Sequence, residues 1–430
     1  MRCASWRASR RRRGRFPVLL FLLVGPANAT RAADAGSTPG PSAKVINVTW
    51  PDIVQLVGRH PRVAAGRLQV DAARGAAAAA GAVPNPTVEG SVGQGRSWAG
   101  DATRFEWGLT LSVPLGWLAQ RGSRIAEAEA EVEVAAAESQ QLRREILLEL
   151  LTLYWGLGHE QARVASLDSL AAQTSGLVAA VRRRVEKGEA RPVEATRVEI
   201  ELDRVGNELD AARLALSAGQ AALALWLGAP EGQTIVVAGE LAALPAVLDR
   251  DTAMARTEAT HPAVRLTRAR TRALGAALDT EKRARVPSAS LGGFAAHELD
   301  RRAYGVGLAV TLPVWNWNRG GIAQAEAQLS ASRQQADATV RQLAATVIEA
   351  QSACQASATV AGRLGHSMVP RSETAAATME RTYQLGEASL LEVIDARRTL
   401  LETRRFHLKA LAQAQIDCGR LGLLVGEELP

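Results

Sequence analysis

Two short stretches of the chain repeat with period two, and most of the rest follows steps of three and four. In RFEWGLTLSVPL (104–115), Phe105, Trp107, Leu109, Leu111 and Val113 alternate with Glu106, Gly108, Thr110 and Ser112. In AYGVGLAVTLPV (303–314), Tyr304, Val306, Leu308, Val310 and Leu312 alternate with small residues. Alternation sustained this far predicts strands with one apolar face. Weaker runs, PTVEGSVGQG and SASLGGFAAHEL, precede them. The pattern therefore predicts two hairpins, with strands over about 86–115 and 288–314.

The remaining pattern is helical. No proline occurs between Pro114 and Pro192, and residues of about 119–187 are rich in Ala, Glu, Gln, Arg and Leu, all good helix formers. Such a helix would be on the order of 100 Å long. The matching segment is about 320–384, with a kink expected at Pro370. After a glycine turn, returning helices are expected over about 191–227 and 390–425. In the first, Val198, Leu202, Val205, Leu209, Ala212 and Leu216 step four and three alternately, the seam of a coiled coil. In the second, Ile394, Leu401 and Leu408 recur every seven residues.

These elements occur twice. His60-Pro61 is answered by His261-Pro262, Pro86 by Pro287, LSVPL by VTLPV, and Arg121-Gly122 by Arg319-Gly320. Gly188-Glu189-Ala190 recurs as Gly386-Glu387-Ala388, and Leu227-Gly228 as Val425-Gly426. Six pairs in order identify a duplication. One copy spans 30–228 and the other 251–430, each opening on a helix (about 51–82 and 251–285). Residues 229–250 link them and are expected to belt the helices midway. The fold class is mainly α with a small β part. Four strands cannot close a barrel, and an open sheet edge is not viable in lipid. If these strands enter a membrane, several chains must share one barrel.

Composition changes this picture in one respect. The formal net charge of +7 suggests nucleic acid, but Arg2, Arg7, Arg10, Arg11, Arg12, Arg13 and Arg15 account for it. They belong to a segment, 1–29, that reads as a secretory signal: a basic start, an apolar run from Phe16 to Val24, and small residues at Ala27 and Ala29. Export without nucleic-acid binding is therefore expected. Cys3 lies within that segment, away from its cleavage site, so no lipid anchor is expected. Cys354 and Cys418, on alanine-rich helices, are expected as independent buried residues rather than a disulfide.

Catalytic and metal chemistry find no footing. The histidines His60, His159, His261, His297, His366 and His407 form no ligand-spaced pair, and no cysteine lies near one, whereas a zinc site needs three or four convergent ligands. The repeated His-Pro positions read as structural bends. GQGRS (93–97) lacks the lysine of a phosphate loop and reads as a hairpin loop. No cofactor is expected.

The stretch GEASLLEVIDARRTLLETR (386–404) is the most informative. Gly188 and Gly386 sit at the reversals of the long hairpins, where a helix C-terminus favours glycine. Ser389 and Glu392 have the spacing of a capping box. Pro192 stands at a favoured first helical position, placing Glu194 where Glu392 falls in the other copy. Asp395 has no such explanation. Its counterpart is Arg197, and its nearest expected partner is Arg398, one turn on.

With these motifs in hand, the chain resembles the TolC-type outer-membrane efflux proteins over nearly all of its length after the signal. VPNP (83–86), LSVPL, LPVWNWNRGGIAQAEA (312–327), GEARPVEATRVEIEL and YQLGEASLLEVIDARRTLLE carry the resemblance. Several of them look most like the branch serving cobalt–zinc–cadmium efflux. The resemblance implies a homotrimer whose strands form one twelve-strand barrel, continued by a helical tunnel into the periplasm. It implies docking on a periplasmic adaptor and an inner-membrane pump of the resistance-nodulation-division type. The adaptor would meet the turns at Gly188, Glu189, Ala190, Gly386, Glu387 and Ala388. Glu392 and Asp395 would form an acidic ring closing the periplasmic end, with Tyr383 and Glu194 near a latch position. The resemblance implies a passive conduit and not an enzyme. Alternatives are the duct of a type I protein secretion system, or a periplasmic coiled-coil adaptor or scaffold.

Overall fold

The computed structural model describes residues 44–96, 100, 103–230, 233–243, 246–299 and 301–427; the expected signal segment and Cys3 lie outside them. The chain begins with strand β1 (Lys44–Val48), followed by α1 (Trp50–Leu56) and α2 (Pro61–Ala80). The hairpin β2 (Thr87–Arg96) and β3 (Thr103–Pro114) leads into α3 (Trp117–Glu186) and its return α4 (Pro192–Leu227). Strand β4 (Gln233–Val237) crosses to the second copy: α5 (Arg250–Thr260), α6 (Pro262–Arg283), β5 (Ser288–Glu298) and β6 (Arg301–Thr311). The last helices are α7 (Arg319–Arg363), α8 (Val369–Gln384) and α9 (Leu390–Leu424).

The 70 residues of α3 make a rod about 105 Å long. Neither α3 nor α4 can bury its apolar residues alone, so each packs on the other. Val198, Val205, Leu209 and Ala212 are among the buried positions on α4. The returning α9 buries Val393, Ile394, Leu400 and Leu411 in the same manner.

Two corrections to the sequence reading follow, and one expectation is refined. Each opening helix is two helices, because His60 and His261 break the chain there. Their Nδ1 atoms accept from the N–H groups of Arg62 and Ala263, and Pro61 and Pro262 begin α2 and α6. The interruption expected at Pro370 in the second long helix is present. A π turn, Leu364–Met368, separates α7 from α8 just before Pro370. Finally, Cys354 and Cys418 are joined in a disulfide, with Cα atoms 4.6 Å apart. Their spacing of 64 residues returns the chain along the adjacent helix to the same height, a register that sequence spacing alone does not reveal.

The four long strands form one antiparallel sheet in the order β2-β3-β5-β6. Its register puts Val88, Leu109, Leu111, Leu291, Val306 and Leu308 on the same face, with Leu111 opposite Val88 and Leu308 opposite Leu291. The other face carries Glu89, Ser91, Thr110, Ser112 and the small residues of β6. The apolar face is exposed, Tyr304 and Val306 almost fully. Among the described residues no strand pairs with the outer edges of β2 or β6.

A second, two-stranded sheet was not foreseen. β1 pairs with β4 in parallel, Ile46 opposite Ile235. It packs on the middle of α3, where the Gln161 side-chain amide exchanges hydrogen bonds with the Val237 backbone. The largest core of the molecule lies here, with Trp50, Ile53, Leu150, Tyr154, Leu223 and Leu423. The linker thus becomes a clasp midway along the helices.

Candidate functional site at the hairpin tips

The two reversals are the same structure built twice. Gly188 and Gly386 have φ of 77° and 83°, a left-handed backbone that side chains resist. Glu189 N–H donates to Arg184 C=O and Gly188 N–H to Val185 C=O; Glu387 and Gly386 repeat this with Thr382 and Tyr383. This is the Schellman arrangement that satisfies the last carbonyls of a helix. No atom lies within 4 Å of where a Cβ would stand on either glycine, so φ rather than crowding requires them. Glu189 and Glu387 are exposed, while Ala190 and Ala388 are half-buried beneath them.

A small core holds the two tips together. Leu177, Val178, Val181 and Val198 of the first hairpin meet Tyr383, Leu390, Val393 and Ile394 of the second. Tyr383 is only 6% exposed. The guanidinium of Arg184 lies over its ring, 4.8 Å from the centroid, and donates to its backbone carbonyl at 3.3 Å. Burial raises the phenol above its ordinary pKa; the Arg184 charge opposes the rise and the Glu194 carboxylate adds to it. Its Oη is buried and has no partner among the described residues. Glu194 pairs instead with Arg191, at 3.2 Å. Arg184, which the sequence reading passed over, is therefore the direct partner of Tyr383.

The acids of α9 divide in the same way. Glu392 completes the capping box. Its Oε2 accepts from Ser389 N–H at 2.7 Å and from the Ser389 hydroxyl at 2.9 Å, and its own N–H donates to Ser389 Oγ. These bonds, the backbone one foremost, lower its pKa. Asp395 is exposed and has no ion pair among the described residues. Arg398, its expected partner, turns away to Glu201 on α4, donating from Nε at 3.0 Å and Nη2 at 2.5 Å. Glu201 is nearly buried, with Arg204 a further 3.8 Å contact. A buried carboxylate gains more from a bidentate guanidinium than an exposed one does, which is why the long-range pair prevails over the local one. Below these, Arg397 holds Glu380 at 2.9 Å and Arg404 holds Glu373 at 2.7 Å, tying α9 to α8.

The site therefore offers acceptors and packed surfaces. Among the described residues no three His, Cys, Asp or Glu side chains come together as a metal cluster.

Comparison with known proteins decides the family. The profile described as "Outer membrane efflux protein" matches residues 53–229 and again 254–427. The chain belongs to the outer membrane efflux protein family. Its function is that of an outer-membrane efflux channel, and the adaptor alternative falls away. Among relatives, the cobalt-zinc-cadmium resistance protein CzcC of Cupriavidus metallidurans is 26% identical over 359 residues, covering 83% of this chain and 84% of its own. The nickel-cobalt-cadmium resistance protein NccC of Alcaligenes xylosoxydans xylosoxydans is 27% identical over 308 residues, covering 68% and 69%. Among solved structures, CusC superposes with a TM-score of 0.73 at 17% identity, covering 89% of this chain and 93% of its own. The open state of Neisseria gonorrhoeae MtrE gives 0.72 at 15% identity, covering 92% and 95%. These structures share the fold of this outer membrane efflux protein.

Proposed function

We propose that three copies of this efflux protein assemble into one channel that carries heavy-metal cations out of the cell. The observation that supports assembly is the sheet. It has one apolar face and two unpaired edges, and no lipid-exposed sheet can keep such edges. Pairing β6 of one copy with β2 of the next removes them, and three copies of a four-stranded sheet make a twelve-strand barrel. The apolar face would meet lipid, with Phe105, Trp107 and Tyr304 at one end and the exposed Trp315 and Trp317 just beyond the other, the aromatic girdles of a membrane barrel. Trp117 and Trp315 are counterparts in the two copies, each followed four residues on by an arginine.

In this reading the helical hairpins reach through the periplasm. Their tips, Gly188, Glu189, Ala190, Gly386, Glu387 and Ala388, receive a periplasmic adaptor, and a resistance-nodulation-division pump delivers the cargo. Glu392 and Asp395 from three copies form the negative constriction, steadied by Tyr383, Arg184 and Glu194. Asp395 carries this reading, because Glu392 already serves the helix start and Asp395 has no hydrogen bond or ion pair among the described residues. The names of the relatives CzcC and NccC support cobalt, zinc, cadmium or nickel as cargo. Asp395→Ala should raise single-channel conductance and lower cation preference in planar bilayers. Unchanged traces would remove Asp395 from the constriction. A deletion strain tested against zinc, cobalt, cadmium, nickel and copper should lose resistance to the metal carried, and uniform resistance would refute the metal assignment.

A further inference from the structure

Charge is divided unequally between the two faces of the four-stranded sheet. The polar face mixes signs, with Glu89, Arg104, Glu106, Glu298 and Arg301. The apolar face carries no acid among the described residues of its strands, and its bases are Arg96, Arg302 and the imidazole of His297. All three stand at one end. The long helices join the sheet at the other end, after Pro114 and Thr311, so these bases mark the end away from the helices.

The register places them exactly where the apolar surface stops. Val92, Trp107, His297 and Arg302 form one row across the four strands. The next row toward the helices is Gly90, Leu109, Ala295 and Tyr304, and from there the face is apolar as far as Val310. Arg302 thus stands two residues outside Tyr304, about 7 Å along the strand. Aromatic rings settle at the headgroup level of a membrane, and an arginine just beyond them extends its guanidinium into that layer.

The bases of the two faces also differ in what they already hold. On the polar face Arg301 donates to Glu298 Oε2 from Nε at 3.1 Å and from Nη2 at 2.8 Å. Arg302 is exposed and has no ion pair among the described residues. Opposite it, His297 has a buried Nδ1 with no hydrogen-bond partner among the described residues. Directly opposed residues have Cβ atoms about 4.5–5.5 Å apart, so a single anion can meet both side chains. The guanidinium fork matches phosphate oxygens. The surroundings favour an amphiphile over a free ion, because Tyr304 and Val306 beside the row are 87% and 86% exposed and offer a bed for an acyl chain.

We propose that Arg302 and His297, with Arg96 beyond them, hold the phosphate of a lipid in the outer leaflet of the outer membrane. The proposal rests on the shared barrel proposed above, which turns this face to lipid. Pairing β6 with β2 in that barrel brings Arg302 of one copy and Arg96 of the next to the outer end of a common joint, and a lipid bound there closes the joint from outside.

Native mass spectrometry tests it on the full-length protein assembled in phosphatidylethanolamine vesicles that contain either diphosphoryl lipid A or its fully dephosphorylated form. The protein should retain the phosphorylated form and release the other. Arg302→Gln should lower retention about tenfold, the loss of one charge-assisted contact. Arg302→Lys should lower it less, and Arg301→Gln, on the polar face, should leave it unchanged. Inorganic phosphate should not displace the lipid; displacement would mark a site for free anions and overturn the proposal. Equal retention of the two lipid forms would overturn it too, as would equal losses from Arg302→Gln and Arg301→Gln. Those results in a trimer leave the shared barrel standing. Selective retention through Arg302 by a chain that stays monomeric supports the lipid site and refutes the shared barrel, and a monomer without selective retention refutes both.

Discussion

Hairpin one turns through Gly188 and hairpin two through Gly386, with matching backbone hydrogen bonds and nearly equal φ. Around these turns the copies diverge. Helix α4 starts at Arg191, which offers no side-chain cap, whereas α9 starts at a full Ser389–Glu392 box. Arg197 on one helix stands where Asp395 stands on the other. Helix α3 is continuous, and its counterpart is stapled and then broken. What the backbone demands has been kept: glycines at positive φ, proline at a helix start, apolar seams. What has changed is charge and stiffness. The duplication therefore preserves a rod and makes its two copies unequal in charge and stiffness.

The strongest way to break this comparison is at the pair that joins the copies. Arg398→Ala would leave Glu201 buried with only Arg204 at 3.8 Å. Removing one partner of a buried pair costs about 3–5 kcal/mol, an upper figure here because Arg204 remains. Glu201→Ala leaves Arg398, which is half exposed and free to hydrate, and should cost about 1–2 kcal/mol. Denaturant unfolding of the assembled protein would rank the two. If the order were reversed, Glu201 would not be the buried member on which the tips depend.

The legible parts of this fold were those whose signal is local. Alternation from Phe105 to Val113 marks a strand because side chains change face at every residue. The four-three steps from Val198 mark a helix that must pair. The Ser389–Glu392 box is written within four residues and forms as spaced. The rest depends on residues far apart in the chain. β1 and β4 are five residues each and pair across most of the first copy, and neither is long enough to declare its partner. The disulfide depends on where two helices fall in register. At the tips, Tyr383 finds Arg184 and Arg398 finds Glu201 from 197 or more residues away, and the nearer candidate for Arg398, Asp395, yields to Glu201. Burial decides between near and far partners, and burial is a property of the packed helices.

The His-Pro bends allow a sharper test at moderate cost. In the second copy His261 caps α6 through a neutral Nδ1. Burial, and then the nearby Arg144 charge, lowers its pKa to about 4. The unfolded chain would hold the ordinary value of about 6.5. Above that value the ring is neutral in both states and the full contribution to stability is present. Between 6.5 and 4 only the unfolded state takes the proton, so stability falls as pH falls. Below 4 the loss is complete. His261→Asn retains a capping oxygen and has no proton to gain. Its midpoint of thermal unfolding should therefore depend less on pH across this window. A parallel shift of both proteins would place the titration elsewhere.

The smallest effect addresses the helix starts directly. Ser389→Ala removes a hydroxyl that both accepts from Glu392 N–H and donates to its carboxylate, and should cost about 1 kcal/mol. The reciprocal change is Arg191→Ser. It would place a serine three residues before Glu194 and so write into α4 the box that α9 already has. The change gives up the Arg191–Glu194 pair, in which only the arginine is exposed, worth roughly 0–1 kcal/mol, so a net gain of only a few tenths of a kcal/mol is expected. Equilibrium unfolding of the two variants against the parent would show opposite signs if the difference between the tips lies in the cap. If both variants lost stability, Arg191 would be holding Glu194 in place beside Tyr383, and the first copy would have exchanged its cap for that contact.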